Sequence, residues 1–249
     1  MAGAAVLGRL TWEAVHARGF LQETPRVRTI ELDAPEWPGH RAGQHLDVRL
    51  TAEDGYQAQR SYSIASAPED GLAITVERLE DGEVSPYLVD EVREGDTFEV
   101  RGPIGGYFVW DADDEAPVLL VAGGSGIVPL MAMIRHRAAA RSTAPFRLLY
   151  SSRTLEDVIY REELERLAAS DGGLKVFHTL TRAQPEGWSG YSRRVDQDML
   201  REVTFPADEG GVVFICGSTR FVDAAADGLV ALGHDPLQIK TERFGATGG

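Results

Sequence analysis

Two hydrophobic patterns divide the chain near residue 111. In the first part, short segments alternate between apolar and polar residues, as half-buried β-strands do; they cover 26–32, 45–50, 72–78 and 98–101. Turn sequences separate them, among them Pro38-Gly39, Asp54-Gly55 and Asp70-Gly71. Short strands spaced in this way predict an antiparallel barrel or sandwich, with one or two helical turns at 85–91.

Continuous apolar runs alternate with helical patterns after the acidic stretch 112–115, which we interpret as a linker. The expected strands cover 118–122, 146–150, 176–180, 212–216 and 237–243. The expected helices cover 129–141, 155–169 and 221–232, the second with Thr154 and Asp157 as a capping pair. This alternation predicts a parallel sheet covered by helices on both faces. The fold class is therefore an antiparallel β-barrel at 1–111 followed by an α/β doubly wound parallel sheet at 112–249.

Composition and charge limit the partners that the chain is expected to have. Its 25 basic and 39 acidic residues give a net charge of 25 − 39 = −14. Nucleic acids and anionic membranes attract basic surfaces, so neither is an expected partner. No apolar run reaches about 18 residues, so no membrane span is expected. With one cysteine and no secretory signal pattern, we expect a cytoplasmic protein without disulfides, metal or iron–sulfur clusters.

A glycine-rich turn follows the first buried strand of the second domain. It reads Gly123-Gly124-Ser125-Gly126, and Pro129 lies in the first turn of the helix that follows. Glycines let the backbone approach a pyrophosphate, and the helix start supplies N–H groups and partial positive charge. The sequence therefore predicts a dinucleotide site, although a tight strand-to-helix turn without a ligand has the same pattern.

The end of the next strand bears on which dinucleotide binds. NAD-binding units place a carboxylate there to hold the ribose hydroxyls. This chain has Ser152 and Arg153 instead, and an arginine beside a hydroxyl suits a 2′-phosphate. Thr181 and Arg182 end the third strand, and Arg194 follows. These positions favour NADPH over NADH, unless the arginines are ordinary solvated surface residues.

A second motif lies about 60 residues before the glycine turn. Arg60-Ser61-Tyr62-Ser63 is a strand edge that offers a cation, an aromatic ring and hydroxyls to a planar anionic ligand. Together the two motifs resemble the ferredoxin–NADP reductase superfamily, in which a flavin-binding barrel precedes an NADP-binding domain. The resemblance extends from about residue 26 to 244. It rests on six segments in the family's order: Arg60-Ser61-Tyr62-Ser63, Gly82-Glu83-Val84-Ser85, Gly102-Pro103-Ile104-Gly105, 124–129, Cys216-Gly217 and Glu242-Arg243-Phe244.

The resemblance implies a site for FAD in the first domain. Arg60 would pair with the FAD pyrophosphate, Tyr62 would pack against the isoalloxazine or ribityl chain, and Ser63 would hydrogen-bond flavin N5. Ser85 and the backbone near Gly82 would hold the phosphates. The remaining expected contacts of this site are Ser61 and Val84.

The resemblance also implies catalytic residues beside the flavin. Cys216, followed by Gly217, and Glu242 would lie next to the nicotinamide and N5, and Phe244 would cover the flavin face. With Ser63, these form the expected catalytic set of Ser63, Cys216, Glu242 and Phe244. The alternatives are a buried apolar thiol, a surface carboxylate and a core aromatic ring. A glycine-rich tail, 245–249, follows Phe244 and is expected to hold it less firmly than the terminal tyrosine of plant-type members.

Three functions follow from these expectations. The leading one is an FAD-dependent NAD(P)H reductase that takes hydride from NADPH and passes electrons to a separate ferredoxin, flavodoxin or oxygenase component. The chain has no four-cysteine ferredoxin domain of its own. Residues 1–110 hold 10 arginines against 19 acids, so a strongly acidic ferredoxin would need a local basic patch. The alternatives are a diaphorase, flavin or ferric reductase with a small-molecule acceptor, and a non-catalytic module that binds FAD and a nucleotide.

Overall fold

Six strands form the first sheet in this computed structural model, which describes residues 10–170 and 172–244. Every neighbouring pair is antiparallel, as predicted, in the order β4-β3-β6-β1-β2-β5. A bridge between Ile64 and Ile74 links the region after β4 to β5 and brings the two edges together as a barrel. The strands are β1 (Glu13–Thr24), β2 (Val27–Asp33), β3 (His45–Thr51), β4 (Gln57–Ser63), β5 (Leu72–Glu77) and β6 (Thr97–Ile104).

A short helical segment packs against the barrel core, where the sequence predicts one or two turns. It consists of α1 (Val84–Pro86) and the π-helical turn Tyr87–Glu91. Val84 and Leu88 are fully buried with the inward-facing strand residues, among them Val15, Ile30 and Leu46. Burying these apolar side chains anchors the segment directly after the loop 79–83.

The second sheet is parallel in all its pairs and runs in the order β11-β10-β7-β8-β9. Its apolar strands are buried on both faces, with one core cluster on each side. The winding reverses between β7 and β10, which is where open α/β sheets bind ligands. The elements are β7 (Val118–Gly123), α2 (Ile127–Ala139), β8 (Phe146–Ser152), α3 (Arg161–Ser170), β9 (Leu174–Leu180), α4 (Gln197–Val203), β10 (Val212–Ser218), α5 (Thr219–Ala231) and β11 (Ile239–Phe244).

The single helix predicted over 155–169 is wrong. A 3-10 turn at Leu155–Asp157 is followed by Val158 in an extended conformation and by a turn at residues 159–160, and α3 begins only at Arg161. Thr154 and Asp157 form the predicted capping box, but around this short turn. Tyr160 then adopts φ 60°, in the left-handed region that interrupts a helix. Its buried side chain donates a hydrogen bond to Thr75 of the barrel, so tertiary contact overrides helix propensity here.

The two domains share part of their core. Phe108 and Trp110, from the connection between β6 and β7, are buried in the cluster that also contains α2. A contact of 2.7 Å between His136 Nδ1 and Glu69 Oε1 also joins α2 to the barrel. The boundary expected between residues 111 and 112 falls in this connection and stays a prediction.

Candidate active site between the two sheets

The glycine turn lies at the carboxyl end of β7 and leads directly into α2. Gly124 has φ 57° and no atom within 4 Å of where a Cβ would be, so this glycine permits a left-handed turn that faces open space. A Cβ on Gly126 would lie 2.1 Å from the carbonyl oxygen of Cys216. Only glycine therefore allows the turn to pack against the end of β10. Ser125 is half-buried, and Pro129 is buried within the first turn of α2.

Cys216 and Glu242 are neighbours on adjacent parallel strands. The register pairs Cys216 of β10 with Glu242 of β11, and the thiol is fully buried. Burial and the nearby Glu242 carboxylate raise the pKa of the Cys216 thiol, which is therefore protonated at neutral pH. Gly217 follows, where a Cβ would lie 2.8 Å from the Phe221 ring. The predicted pair Cys216 and Glu242 is thus brought together.

The flavin motif ends at the same junction. Ser63 is the last residue of β4 and lies directly opposite His45 of β3. Its hydroxyl is buried and has no hydrogen-bond partner within the described residues. Ser61, on the same side of the strand, is exposed and donates to Asp47 at 2.6 Å. Tyr62 points to the other side and packs against the barrel core.

His45 links the barrel to the second domain at this point. Its Nδ1 lies 3.7 Å from Glu242 Oε1, while Glu242 Oε2 is buried and without a partner among the described residues. Burial raises the pKa of Glu242 to about 7. Burial also lowers the pKa of His45, against the opposing effect of Asp47, so that the ring is neutral at pH 7. A carboxyl group that titrates near neutrality beside the flavin motif can hold or release a proton there.

The segment expected to hold the FAD phosphates is packed tightly against the barrel. Ser85 is buried, and its Oγ accepts a hydrogen bond from the Leu79 N–H. A Cβ on Gly82 would lie 2.9 Å from that oxygen. The side chain of Val84 belongs to the barrel core, so only its backbone could contact a ligand. Arg60 lies near this segment, with Nη2 at 3.9 Å from Glu83.

The predicted 2′-phosphate residues surround the ends of β8 and β9. The backbone N–H groups of Thr181 and Arg182 donate to the carbonyls of Ser152 and Arg153, at 3.0 and 2.9 Å. Arg194 lies in a segment that returns to β9. There the Thr179 hydroxyl donates a hydrogen bond to the carbonyl of Arg193, the residue before Arg194. The guanidinium groups of Arg153, Arg182 and Arg194 are exposed and form no ion pair within the described part of the chain. Three unpaired cations are therefore available to an anionic ligand.

Phe244 ends the described part of β11 and is 37% exposed. It pairs in register with Ser218, two residues after Cys216. The ring therefore lies at the carboxyl edge of the sheet, near the predicted catalytic residues. How firmly Phe244 is held over the flavin is expected to depend on the glycine-rich tail, 245–249, which lies outside the described residues.

Comparisons with known proteins agree with this arrangement. The oxidoreductase FAD-binding domain family matches residues 22–109, and the oxidoreductase NAD-binding domain family matches residues 120–227. Ferredoxin–NADP reductase B of Sorangium cellulosum is 37% identical over 230 residues, which are 89% of this chain and 93% of that protein. The chain belongs to the ferredoxin–NADP reductase superfamily.

The matched proteins differ in length and in the enzyme system to which they belong. A glycine betaine monooxygenase reductase subunit of Chromohalobacter salexigens is 33% identical over 91% of this chain, but the chain spans only 62% of that protein. The FAD/NAD-binding domain of a nitric oxide dioxygenase from Vibrio cholerae is 25% identical. It superposes with a TM-score of 0.83 over 94% of this chain and 98% of that one. In the described residues, no helix is long and apolar enough to cross a membrane.

FAD and a nicotinamide dinucleotide are the cofactors of this superfamily member. The residues present fit both groups. Ser63 and Glu242 each leave one buried oxygen without a partner in the described chain, which a bound polar ligand can supply. Gly124 leaves open space at the turn, and the arginines at the strand ends lack counter-ions. The individual contacts of the other predicted residues stay predictions.

Sequence reasoning missed His45. A single histidine at the start of an alternating strand carries no signal of function, because such a residue is most often an ordinary half-buried side chain. The structure places His45 in the site through its strand register with Ser63 and its contact with Glu242. The contact with Glu242 depends on how the two domains pack.

Proposed function

We propose that this chain is an FAD-dependent NAD(P)H reductase that passes electrons to a separate acceptor. When bound, NAD(P)H supplies a hydride and FAD accepts it, storing two electrons that can leave one at a time. The protein's part is to hold the two ring systems together, to exclude water and to manage a proton. The meeting of the flavin motif and the nucleotide turn at one junction carries this proposal.

Three residues would act at that junction. Ser63 would present its otherwise unpartnered hydroxyl to the flavin, and Cys216 would line the nicotinamide pocket as an uncharged thiol. Glu242 is buried, lies beside neutral His45 and titrates near pH 7, so it would hold or release the accompanying proton. The intact set of polar groups supports turnover rather than a non-catalytic binding role.

NADPH is the nucleotide that the strand ends favour. The end of β8 has Ser152 and Arg153 where an NAD-specific unit has a carboxylate, and the backbone of Arg182 is hydrogen-bonded to that of Arg153. Unpaired guanidinium groups gain most from a ligand that carries an extra phosphate. The 2′-phosphate of NADPH is therefore the feature that these residues would recognise.

A separate protein is the acceptor that the comparisons favour. Several relatives are reductase components of oxygenases, among them a ferredoxin reductase component of 3-ketosteroid-9-alpha-monooxygenase in Mycobacterium tuberculosis. The chain carries no cysteine cluster, with Cys216 as its one cysteine. One-electron transfer from the flavin would therefore end on a redox centre outside these 249 residues, either a metal centre or a second flavin.

The acceptor can be tested with the flavin reduced in advance. The protein is reduced by NADPH without oxygen and mixed with a ferredoxin, a flavodoxin or a cytochrome, and separately with free flavin, a quinone or a ferric chelate. We expect flavin reoxidation within milliseconds to seconds by at least one protein carrier. Rapid turnover with small molecules and none with any carrier would contradict the proposal and favour a diaphorase.

A further inference from the structure

Glu83 occupies an unexpected position next to the FAD motif. It lies between Gly82 and Val84, in the segment expected to hold the FAD phosphates. Both of its carboxylate oxygens lie 3.2 Å from the Tyr56 hydroxyl, and one lies 3.9 Å from Arg60 Nη2. The side chains of Arg60 and Glu83 are 39% and 55% exposed, so neither is fixed by packing.

Two side chains contact the Glu83 carboxylate in this position. The Tyr56 hydroxyl donates to it, and this hydrogen bond raises the pKa of that hydroxyl. Tyr56 follows the turn between β3 and β4, which the Ala52 N–H and the Tyr56 carbonyl close at 2.8 Å. A donor from one loop and a cation from β4 therefore converge on a single acid at the start of α1.

This arrangement opposes the binding of a diphosphate. The Arg60 guanidinium can contact the FAD pyrophosphate only in competition with Glu83, because the Glu83 carboxylate already lies 3.9 Å from Arg60 Nη2. Two like charges about 5 Å apart in water weaken binding by about fourfold, and a diphosphate carries two charges. Salt screens part of this repulsion, because the Debye length is about 8 Å at physiological ionic strength.

We propose that Glu83 is a built-in competitor of the FAD diphosphate, which holds Arg60 and Tyr56 when flavin is absent and must turn aside when flavin binds. The proposal rests on the placement of the FAD diphosphate at Arg60 under the proposed function. Its consequence is that the chain holds FAD more loosely, and exchanges it faster, than the flavin motif alone allows.

The test measures FAD release from the holoenzyme. Wild-type protein and Glu83→Gln are purified with FAD, diluted from micromolar to nanomolar concentration, and followed by the fluorescence of the released flavin. Glutamine keeps the size of the side chain and can still accept from Tyr56, but it removes the charge. We expect Glu83→Gln to lower the Kd for FAD about 3- to 10-fold.

Salt provides a signature that a merely structural role would not produce. In wild-type protein Arg60 and Glu83 nearly cancel, so the Kd for FAD should change little with salt. In Glu83→Gln the cation is unopposed, and its attraction for the diphosphate should weaken more steeply as salt is added. The matched control is Glu80→Gln in the same loop, whose acid lies 3.4 Å from Arg26 and should leave both quantities unchanged.

Three outcomes overturn the inference or its basis. Equal or weaker FAD binding in Glu83→Gln overturns the role of Glu83, and equal tightening in Glu80→Gln overturns it as well, because a general charge effect would then suffice. Wild-type protein that carries no FAD, and takes up none when it is added, overturns the reductase assignment itself. Tighter binding confined to Glu83→Gln, with the steeper salt dependence, supports the inference.

Discussion

Replacing Glu242 with glutamine should stabilise the protein at high pH and leave it unchanged at low pH. Burial raises the pKa of Glu242 to about 7 from an ordinary value of 4.5. Below pH 4.5 the carboxyl group is protonated in both the folded and the unfolded protein. Between pH 4.5 and 7 the folded protein binds more protons than the unfolded one, so its stability falls as pH rises. Glutamine stays neutral and does not have this cost.

The magnitude follows from the size of the shift. Raising the pKa from 4.5 to about 7, at 1.36 kcal/mol per pKa unit, gives an upper limit of about 3.4 kcal/mol at pH 8. The side chain is 22% exposed, so solvent relieves part of this cost. Neutral His45 offers no cation to offset it, because burial lowers the pKa of the ring. We therefore expect about 1–3 kcal/mol, or a rise of about 3–10 °C in Tm at pH 8.

The assay is thermal unfolding of the holoenzyme at pH 5, 6, 7 and 8. Two saturating FAD concentrations separate stability of the chain from linkage to flavin binding, because only the latter changes with ligand concentration. Glu53→Gln, an exposed acid in the turn between β3 and β4, controls for the loss of one negative charge. Parallel Tm curves for wild type and Glu242→Gln across this pH range would refute the reasoning.

Three further substitutions test other parts of the account. Arg153→Ala should raise the KM for NADPH about 10- to 100-fold, because it removes a charge-assisted hydrogen bond, and should raise the KM for NADH far less. Equal rises in the two KM values would show that Arg153 does not bind the 2′-phosphate. Ser63→Ala should slow flavin reduction at least about tenfold in stopped-flow experiments while FAD stays bound, and unchanged kinetics would defeat the contact with N5. Tyr160→Phe should cost about 1–2 kcal/mol in unfolding experiments by removing the buried hydrogen bond to Thr75. Tyr107 is 60% exposed, and its hydroxyl donates to the Ile239 carbonyl at 3.2 Å, so Tyr107→Phe controls for the loss of an exposed hydrogen bond. It should cost less than about 0.5 kcal/mol, and similar losses in the two variants would contradict the assignment.

Local patterns were enough to predict most of the fold. Alternation in the first domain and continuous apolar strands in the second gave the two sheets, because side-chain periodicity reflects which faces are buried. The glycine turn could be predicted because its geometry requires glycine at particular positions. At Gly126 the structure gives the reason, since a Cβ there would overlap the Cys216 carbonyl.

Contacts between distant segments could not be predicted from these patterns. The break before α3 depends on Tyr160 reaching a threonine in the barrel, and nothing in the local sequence distinguishes it from a helical residue. The position of His45 opposite Ser63 and against Glu242 depends on strand register and on the packing of two domains. The contact of Glu83 with Tyr56 likewise could not be predicted, because Tyr56 lies in a different loop.

Reduction of the bound flavin by each nucleotide tests the central claim most directly. The purified protein is freed of oxygen and mixed with NADPH, and separately with NADH, while the visible absorbance of the flavin is recorded. The account predicts a yellow protein that NADPH bleaches quickly and NADH bleaches slowly. A colourless protein that takes up no FAD, or a yellow one that neither nucleotide bleaches, would contradict the function while leaving the fold intact.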